Sequence, residues 1–268
     1  MHVLAALAAA LALPGFVPTA SEPDGGHLLS GTFPGTARAG YVYLPPGFNP
    51  SDRYPVVYLL HGLPGSPSEY IDGTRLGDFA DAQIAARTFR PFIAVIPAAG
   101  TSASYDGEWA GQWETALVTD IVPWVDAHLP TLATASGRTI AGLSAGGFGA
   151  IDIALRHPGL FGTAESWSGY FTPLRDGPFV DANSATLEAH NPTALVRQEA
   201  ATLRRDGTRF FISTGPPHSR QIKPASSAAF AVELRGLGIK VVYHSYASPL
   251  GQWREQLDTG LLWALGRR

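Results

Sequence analysis

An α/β domain, with a mostly parallel central sheet covered by helices on both faces, is what this chain predicts on three observations. Short apolar runs such as Val56–Leu60 and Phe92–Ile96 have the length and β-branched content of strands buried on both faces. Between such runs lie longer segments with apolar residues at three- and four-residue spacing, so strands and helices alternate along the chain. Finally, one apolar run ends abruptly in Gly142-Leu143-Ser144-Ala145-Gly146, and a helical pattern starts directly behind it.

Taken in order, Met1–Ala20 is predicted to stand apart from the domain. Val3–Leu13 is an uninterrupted apolar run, and Pro14-Gly15 and Thr19-Ala20-Ser21 follow it, the order of a secretory signal and its cleavage zone. Only His2 stands in the basic front region, so the stretch also reads as the tail of a membrane segment, although it is short for a span. Either reading places the domain outside the cytoplasm, secreted or held at the cell envelope, with a membrane or cell-wall association through the leader. The domain itself is expected over 26–268.

Residues 26–43 alternate and should form two antiparallel strands joined near Pro34-Gly35. Pro55–Leu60 is the first buried parallel strand and runs straight into His61-Gly62-Leu63-Pro64-Gly65. Helical spacing follows over Asp72–Thr88, and Pro91–Pro97 is the next strand. Trp113, Leu117, Ile121, Trp124, Val125 and Leu129 recur on one face, which predicts a long amphipathic helix over Gln112–His128. After the helix behind Ser144 stops at His157-Pro158-Gly159, strands are expected over Gly162–Ser168, Arg209–Ser213 and Ile239–Tyr243. Helices over Ala225–Leu237 and Trp253–Leu265 complete the pattern. Ligands in such sheets bind beyond the carboxyl ends of the strands, and the long 169–192 loop is placed to roof that region.

Composition removes several function classes. The chain has 268 residues, 45% of them hydrophobic, and a net charge of -3 with both signs interspersed, so no basic stripe offers a nucleic-acid surface. It has no cysteine, which excludes disulfides, thiolate nucleophiles and cysteine zinc sites. The eight histidines are scattered, with no His-Glu-x-x-His, and Gly146-Gly147-Phe148-Gly149 matches neither a dinucleotide loop nor a phosphate loop. No cofactor and no metal is expected. Trp109, Trp113 and Trp167 suit either an apolar or sugar-binding cleft or the core, while Asp106 and Glu108 would need a facing geometry to act as a carboxylate pair on a glycoside.

Ser144 is the residue on which chemistry should centre. Gly142 and Gly146 flank it where side chains would collide if the backbone turned sharply enough to push the hydroxyl into a cleft. The competing reading is a small-residue turn in which Ser144 merely caps the helix.

The chain resembles the esterase family of α/β-hydrolases that includes esterase D-like thioesterases, feruloyl esterases and mycolyltransferases. Four blocks carry the resemblance in matching order and spacing: Tyr58-Leu59-Leu60-His61-Gly62, Trp113-Glu114-Thr115, Gly142–Ala150, and Arg156-His157-Pro158-Gly159-Leu160-Phe161. The resemblance implies an α/β-hydrolase fold and a serine esterase or acyltransferase acting on a small-molecule, lipid or sugar ester. It also implies that Ser144 is the nucleophile, that the backbone N–H groups of Leu63 and Ala145 form the oxyanion hole, and that His61 is a scaffold.

The family's acid and histidine are not matched. Where the acid usually follows the next-to-last strand the chain reads Ser213-Thr214-Gly215-Pro216-Pro217-His218, and Ser245–Gln252 carries no histidine. His244 falls inside the strand pattern instead. Three accounts stand open: His218 is the general base, oriented by Asp176 or Asp181 from the roof; His190 descends to play base; or the serine has no base and the protein is a catalytically silent envelope binding module on the same fold.

Overall fold

The computed structural model describes residues 13–21, 25–100, 108–216, 223–247 and 252–267. Among them is a nine-stranded sheet in the order β1-β2-β3-β5-β4-β6-β7-β8-β9. Its first three strands are β1 (Phe16–Ser21), β2 (His27–Thr32) and β3 (Ala39–Leu44), which pair antiparallel to one another and, through β3, to β5 (Ile93–Ile96). The remainder is parallel: β4 (Val56–Leu60), β6 (Arg138–Leu143), β7 (Thr163–Trp167), β8 (Arg209–Thr214) and β9 (Lys240–Ser245). The expected α/β architecture is present, and β4 and β5 at its centre carry no charged residue because both faces of the sheet are covered.

One side of the sheet buries a core that includes Val56, Tyr58, Leu60, Ile140, Phe210 and Ile212. The opposite side buries Val57, Leu59, Ala141, Leu143, Trp167 and Phe211, the alternate residues of the same strands. Helix α1 (Leu76–Ala85) and the C-terminal α8 (Gln252–Leu265) contribute to the second core, and α2 (residues 112–128) and α3 (Ala145–Arg156) to the first. The long helix expected over Gln112–His128, here α2, is continuous but contains a π-helical section, Ala116–Ile121, between α-helical Gln112–Thr115 and Val122–His128. Between β7 and β8 lie α4 (Ser184–Ala189), α5 (Pro192–Gln198) and α6 (Ala200–Asp206), while α7 (Pro224–Gly236) links β8 to β9.

The amino-terminal boundary differs from the sequence expectation. β1 lies within and just beyond the stretch assigned to the leader, and its register against β2 runs from Phe16↔Gly31 to Ser21↔His27. Leu13 and Phe16 are buried, and the Phe16 ring sits 4.7 Å from Phe33 and 5.5 Å from Trp124. The folded unit therefore includes Leu13 rather than starting near Gly26; residues 1–12 lie outside the described residues. No helix among the described residues is long and apolar enough to cross a membrane.

A buried acid in β7 gives the fold a pH-dependent component. Glu165 is fully buried; its Oε2 accepts from the Trp167 indole N–H at 3.0 Å, and Oε1 has no hydrogen-bond partner among the described residues. Burial pushes its carboxyl up from 4.5 to about 8, against the Trp167 hydrogen bond and the Arg209 charge. The folded state thus holds this proton more tightly than the unfolded chain, so its contribution to stability is full below about pH 4.5 and is lost as pH rises through about 8. Melting temperatures across this range should show a fall in the wild type that Glu165→Gln lacks. Parallel curves for the two proteins would contradict the assignment.

Candidate active site

The parallel ladder brings four strand ends to one level. Leu60 of β4 pairs with Gly142 of β6, Leu143 with Trp167 of β7, and Trp167 with Ser213 of β8. Ser144 follows directly on β6 and adopts φ 52°, ψ -114°, a left-handed-side conformation unfavourable for a residue with a Cβ. Its peptide N–H donates to Trp167 O at 2.9 Å, and its carbonyl accepts from Phe148 N–H at 3.0 Å. The side chain is partly exposed and makes no capping bond to α3, although Ser144 occupies the N-cap position. The helix-cap reading of this serine is therefore not what the structure shows.

The flanking glycines are required by close backbone approach. A Cβ on Gly142 would lie 2.3 Å from the carbonyl carbon and oxygen of Gly146, and one on Gly146 would lie 2.0 Å from Leu60 O. Gly62 brings the loop after β4 to the same point, since a Cβ there would sit 3.4 Å from Ser144 Cβ. Ala145 N–H belongs to the first residue of α3, where helix geometry leaves donors unused and the helix dipole favours negative charge. Leu63 packs against the cluster of Ala110, Ala145, Phe148, Tyr170 and Phe179. Among the described residues neither the Leu63 nor the Ala145 amide N–H donates to a protein acceptor.

His61 is a scaffold, as the resemblance implies. It is fully buried, with Nδ1 2.9 Å from Gly62 O and Nε2 accepting from Ala99 N–H at 3.0 Å; this pattern puts the ring proton on Nδ1. Burial pulls its pKa down to about 4, against the hydrogen bonds to Gly62 and Ala99. Trp109, held at φ 56°, donates its indole N–H to His61 O at 3.0 Å and ties the 108–111 segment to the same loop. Trp113 and Trp167 are buried in the two cores rather than displayed in a cleft.

The 169–192 segment roofs this region through aromatic packing on α3. Tyr170 stacks on Phe148 at 5.1 Å and 15°, and Phe179 meets the same ring edge-on at 6.1 Å. The Tyr170 hydroxyl lies 2.5 and 2.6 Å from the two carboxylate oxygens of buried Glu108, which ties the 108–111 segment to the roof. Asp176 lies in the roof, partly buried, with an Oδ1 that has no partner among the described residues; Asp181 is exposed.

His190 is not positioned as the base. Its Nδ1 is 2.7 Å from Asp152 Oδ2, and Asp152 lies eight residues along α3 from Ser144, about 12 Å by helix rise. This pair instead fastens the roof to the middle of α3. His244 is exposed near the end of β9, an edge strand, and ring-packs with Tyr246 at 4.4 Å. His218 lies outside the described residues, as does Asp106.

Two groups escaped sequence reasoning. Glu114 accepts from Arg156 Nε at 2.8 Å and lies 2.7 Å from His157 Nε2, so two of the four blocks carrying the family resemblance meet in space. Burial works against this carboxylate's charge, but the hydrogen bonds from His157 and Arg156 outweigh it and hold the pKa below the ordinary value. The second group, buried Ser168, Ser213 and Gln256, links residues 43 to 88 positions apart and has no local signature.

Residues 31–264 match the family model described as "Putative esterase". Among curated proteins, an esterase of Mycobacterium tuberculosis is 35% identical over 141 residues, 50% of this chain and 30% of that protein. The diacylglycerol acyltransferase/mycolyltransferase Ag85B of Mycolicibacterium smegmatis is 33% identical over 191 residues, 63% of this chain and 55% of that protein. The matches thus span less than two thirds of either relative's length. Among solved structures, a ferulic acid esterase superposes with TM-score 0.74 at 20% identity, covering 93% of this chain and 96% of that one. An S-formylglutathione hydrolase from Agrobacterium tumefaciens gives 0.70 at 17% identity, covering 94% and 98%. These structural likenesses establish the α/β-hydrolase fold, and the family model, which takes in most of the chain, establishes membership: this protein belongs to the esterase family of α/β-hydrolases.

Proposed function

We propose that this chain is a serine carboxylic-ester hydrolase or acyltransferase working through an acyl-Ser144 intermediate. The observation that carries the reading is Ser144 held at φ 52°, ψ -114° at the start of α3 with a hydroxyl that makes no capping bond. Non-glycine residues persist in such conformations only where the surroundings over-determine them, and they concentrate at functional sites. Ser144 Oγ attacks the ester carbonyl carbon, and the resulting oxyanion accepts from the Leu63 and Ala145 amides. Each such donor contributes roughly 3 kcal/mol in measured enzymes. Collapse expels the alcohol with a proton, and water or a second alcohol then takes the acyl group from Ser144.

His218 is the proposed general base. It lies three residues beyond Gly215, whose N–H donates to Ser168 Oγ at 3.2 Å, and Ser168 directly follows the Trp167 whose carbonyl holds Ser144. β8 stands two strands from β6, about 10 Å, a span that three residues and an imidazole can cover. Asp176, partly buried with an oxygen that has no partner among the described residues, suits the orienting acid better than exposed Asp181. The substrate class is a small-molecule, lipid or sugar ester, and the proposed location is extracytoplasmic. The esterase and mycolyltransferase relatives support the ester chemistry, but not the choice between water and another acceptor.

The competing reading, a catalytically silent binding module, draws on the absence of histidine from Ser245–Gln252. A fluorophosphonate probe separates the two. The active enzyme should be labelled at Ser144, and His218→Ala should slow labelling by about 10²-fold or more. Undiminished labelling in His218→Ala would refute that base, while a folded protein that never labels would favour the silent module.

A further inference from the structure

Ser144 is not the only strained residue at this end of the sheet. Ser168, immediately after β7, has φ 51° and is fully buried. The two are coupled in sequence and in space, because Ser144 N–H donates to the carbonyl of Trp167, the residue preceding Ser168. The direction of that carbonyl therefore depends on what holds the Trp167–Ser168 peptide.

What holds it is a buried set of hydrogen bonds. Ser168 N–H donates to Ser213 O at 2.9 Å. Ser168 Oγ accepts from Gln256 Nε2 at 2.8 Å and from Gly215 N–H at 3.2 Å. Gln256 Oε1 accepts from Ser213 Oγ at 2.7 Å, so one amide side chain reaches both strand ends. Gln256 lies on α8, whose apolar residues Leu257 and Leu261 are core, yet its own polar side chain is fully buried. Burying an amide costs free energy unless its hydrogen bonds are made, and a leucine would fill a place in such a core without that cost. Packing alone does not account for glutamine here.

We infer that Gln256 is a positioning residue for the nucleophile: by clamping Ser168 and Ser213 it fixes the Trp167 carbonyl that holds Ser144 in its strained, attack-ready conformation. The inference rests on the reading of Ser144 as nucleophile and adds to it how the elbow is kept from relaxing. Gln256 has no role in contacting substrate; its effect passes through the Ser168–Trp167 backbone. The same clamp fixes Gly215, from which the chain leaves β8.

The test is the rate at which a fluorophosphonate labels Ser144, measured well below the melting temperature, in Gln256→Met, which keeps length but removes the amide. Ser168→Gly, which accepts the same φ and deletes the hydroxyl, is the second variant, so a poorly folding methionine variant does not end the test. Each should slow labelling by about 10- to 100-fold, since small misplacements of a reacting group cost rates of that order. The double variant should be no slower than the slower single, because both break one network. Hydrolysis of p-nitrophenyl acetate should show the loss in kcat with KM changed less than about threefold.

Val125→Ala, in the buried face of α2 remote from this network, controls for stability: it should lower the melting temperature and leave labelling unchanged. Wild-type labelling with both network variants at the wild-type rate would overturn the role of Gln256 while leaving Ser144 as nucleophile. Slowing of the same size in Val125→Ala would reduce Gln256 to a stability residue. A folded wild type that does not label would overturn the nucleophile and the positioning role together.

Discussion

Ser144→Ala is expected to lower turnover of an activated ester such as p-nitrophenyl butyrate by about 10⁴- to 10⁶-fold, the range seen when a member of a catalytic triad is removed. In the proposed mechanism the Ser144 oxygen forms the acyl bond, and Ser144 lies against Gly62 at the start of α3. Stability should move the other way in Ser144→Gly. Glycine accepts φ 52°, ψ -114° without steric cost, so the melting free energy should rise by about 1 kcal/mol while activity vanishes. Such opposition between activity and stability is expected of a residue strained for function. An alanine variant within tenfold of wild-type turnover would remove Ser144 from the chemistry.

The largest expected effect on stability comes from Gly146→Ala. The added Cβ would meet Leu60 O at 2.0 Å, Leu60 C at 2.6 Å and His61 O at 2.7 Å, all backbone atoms of β4 and the loop that follows it. None is the movable end of a side chain, so relief requires α3 to shift away from the sheet. A loss of about 3 kcal/mol or more in denaturant unfolding is expected, together with loss of labelling as the Ala145 amide is displaced. Gly77→Ala is the contrast. In α1 nothing lies within 4 Å of its new Cβ, and a gain of about 0.5 to 1 kcal/mol is expected from helix propensity. Equal effects of the two substitutions would refute the close-packed elbow.

These expectations show which parts of the molecule local sequence encodes. β4 and β5 were legible because strands buried on both faces read as short, nearly continuous apolar runs, and β6 because its apolar run ends in the Gly142–Gly146 motif. The elbow was legible because its geometry leaves room for no side chain at Gly142 and Gly146. β1 was not, because a short edge strand containing Pro18 directly follows an apolar leader-like run, and its pairing with β2 is a tertiary fact. The His190–Asp152 pair was equally hidden, joining residues 38 apart that share no motif. The Gln256 clamp marks the same limit. A glutamine between apolar helix positions reads as surface until the fold places two serines against it.

The role of Ser144 is tested most directly by intact mass and peptide mapping of the folded protein after reaction with a fluorophosphonate. That role predicts one adduct per chain, located on Ser144, and none in Ser144→Ala. A folded wild-type protein that gains no mass, or carries its adduct on another residue, would contradict it.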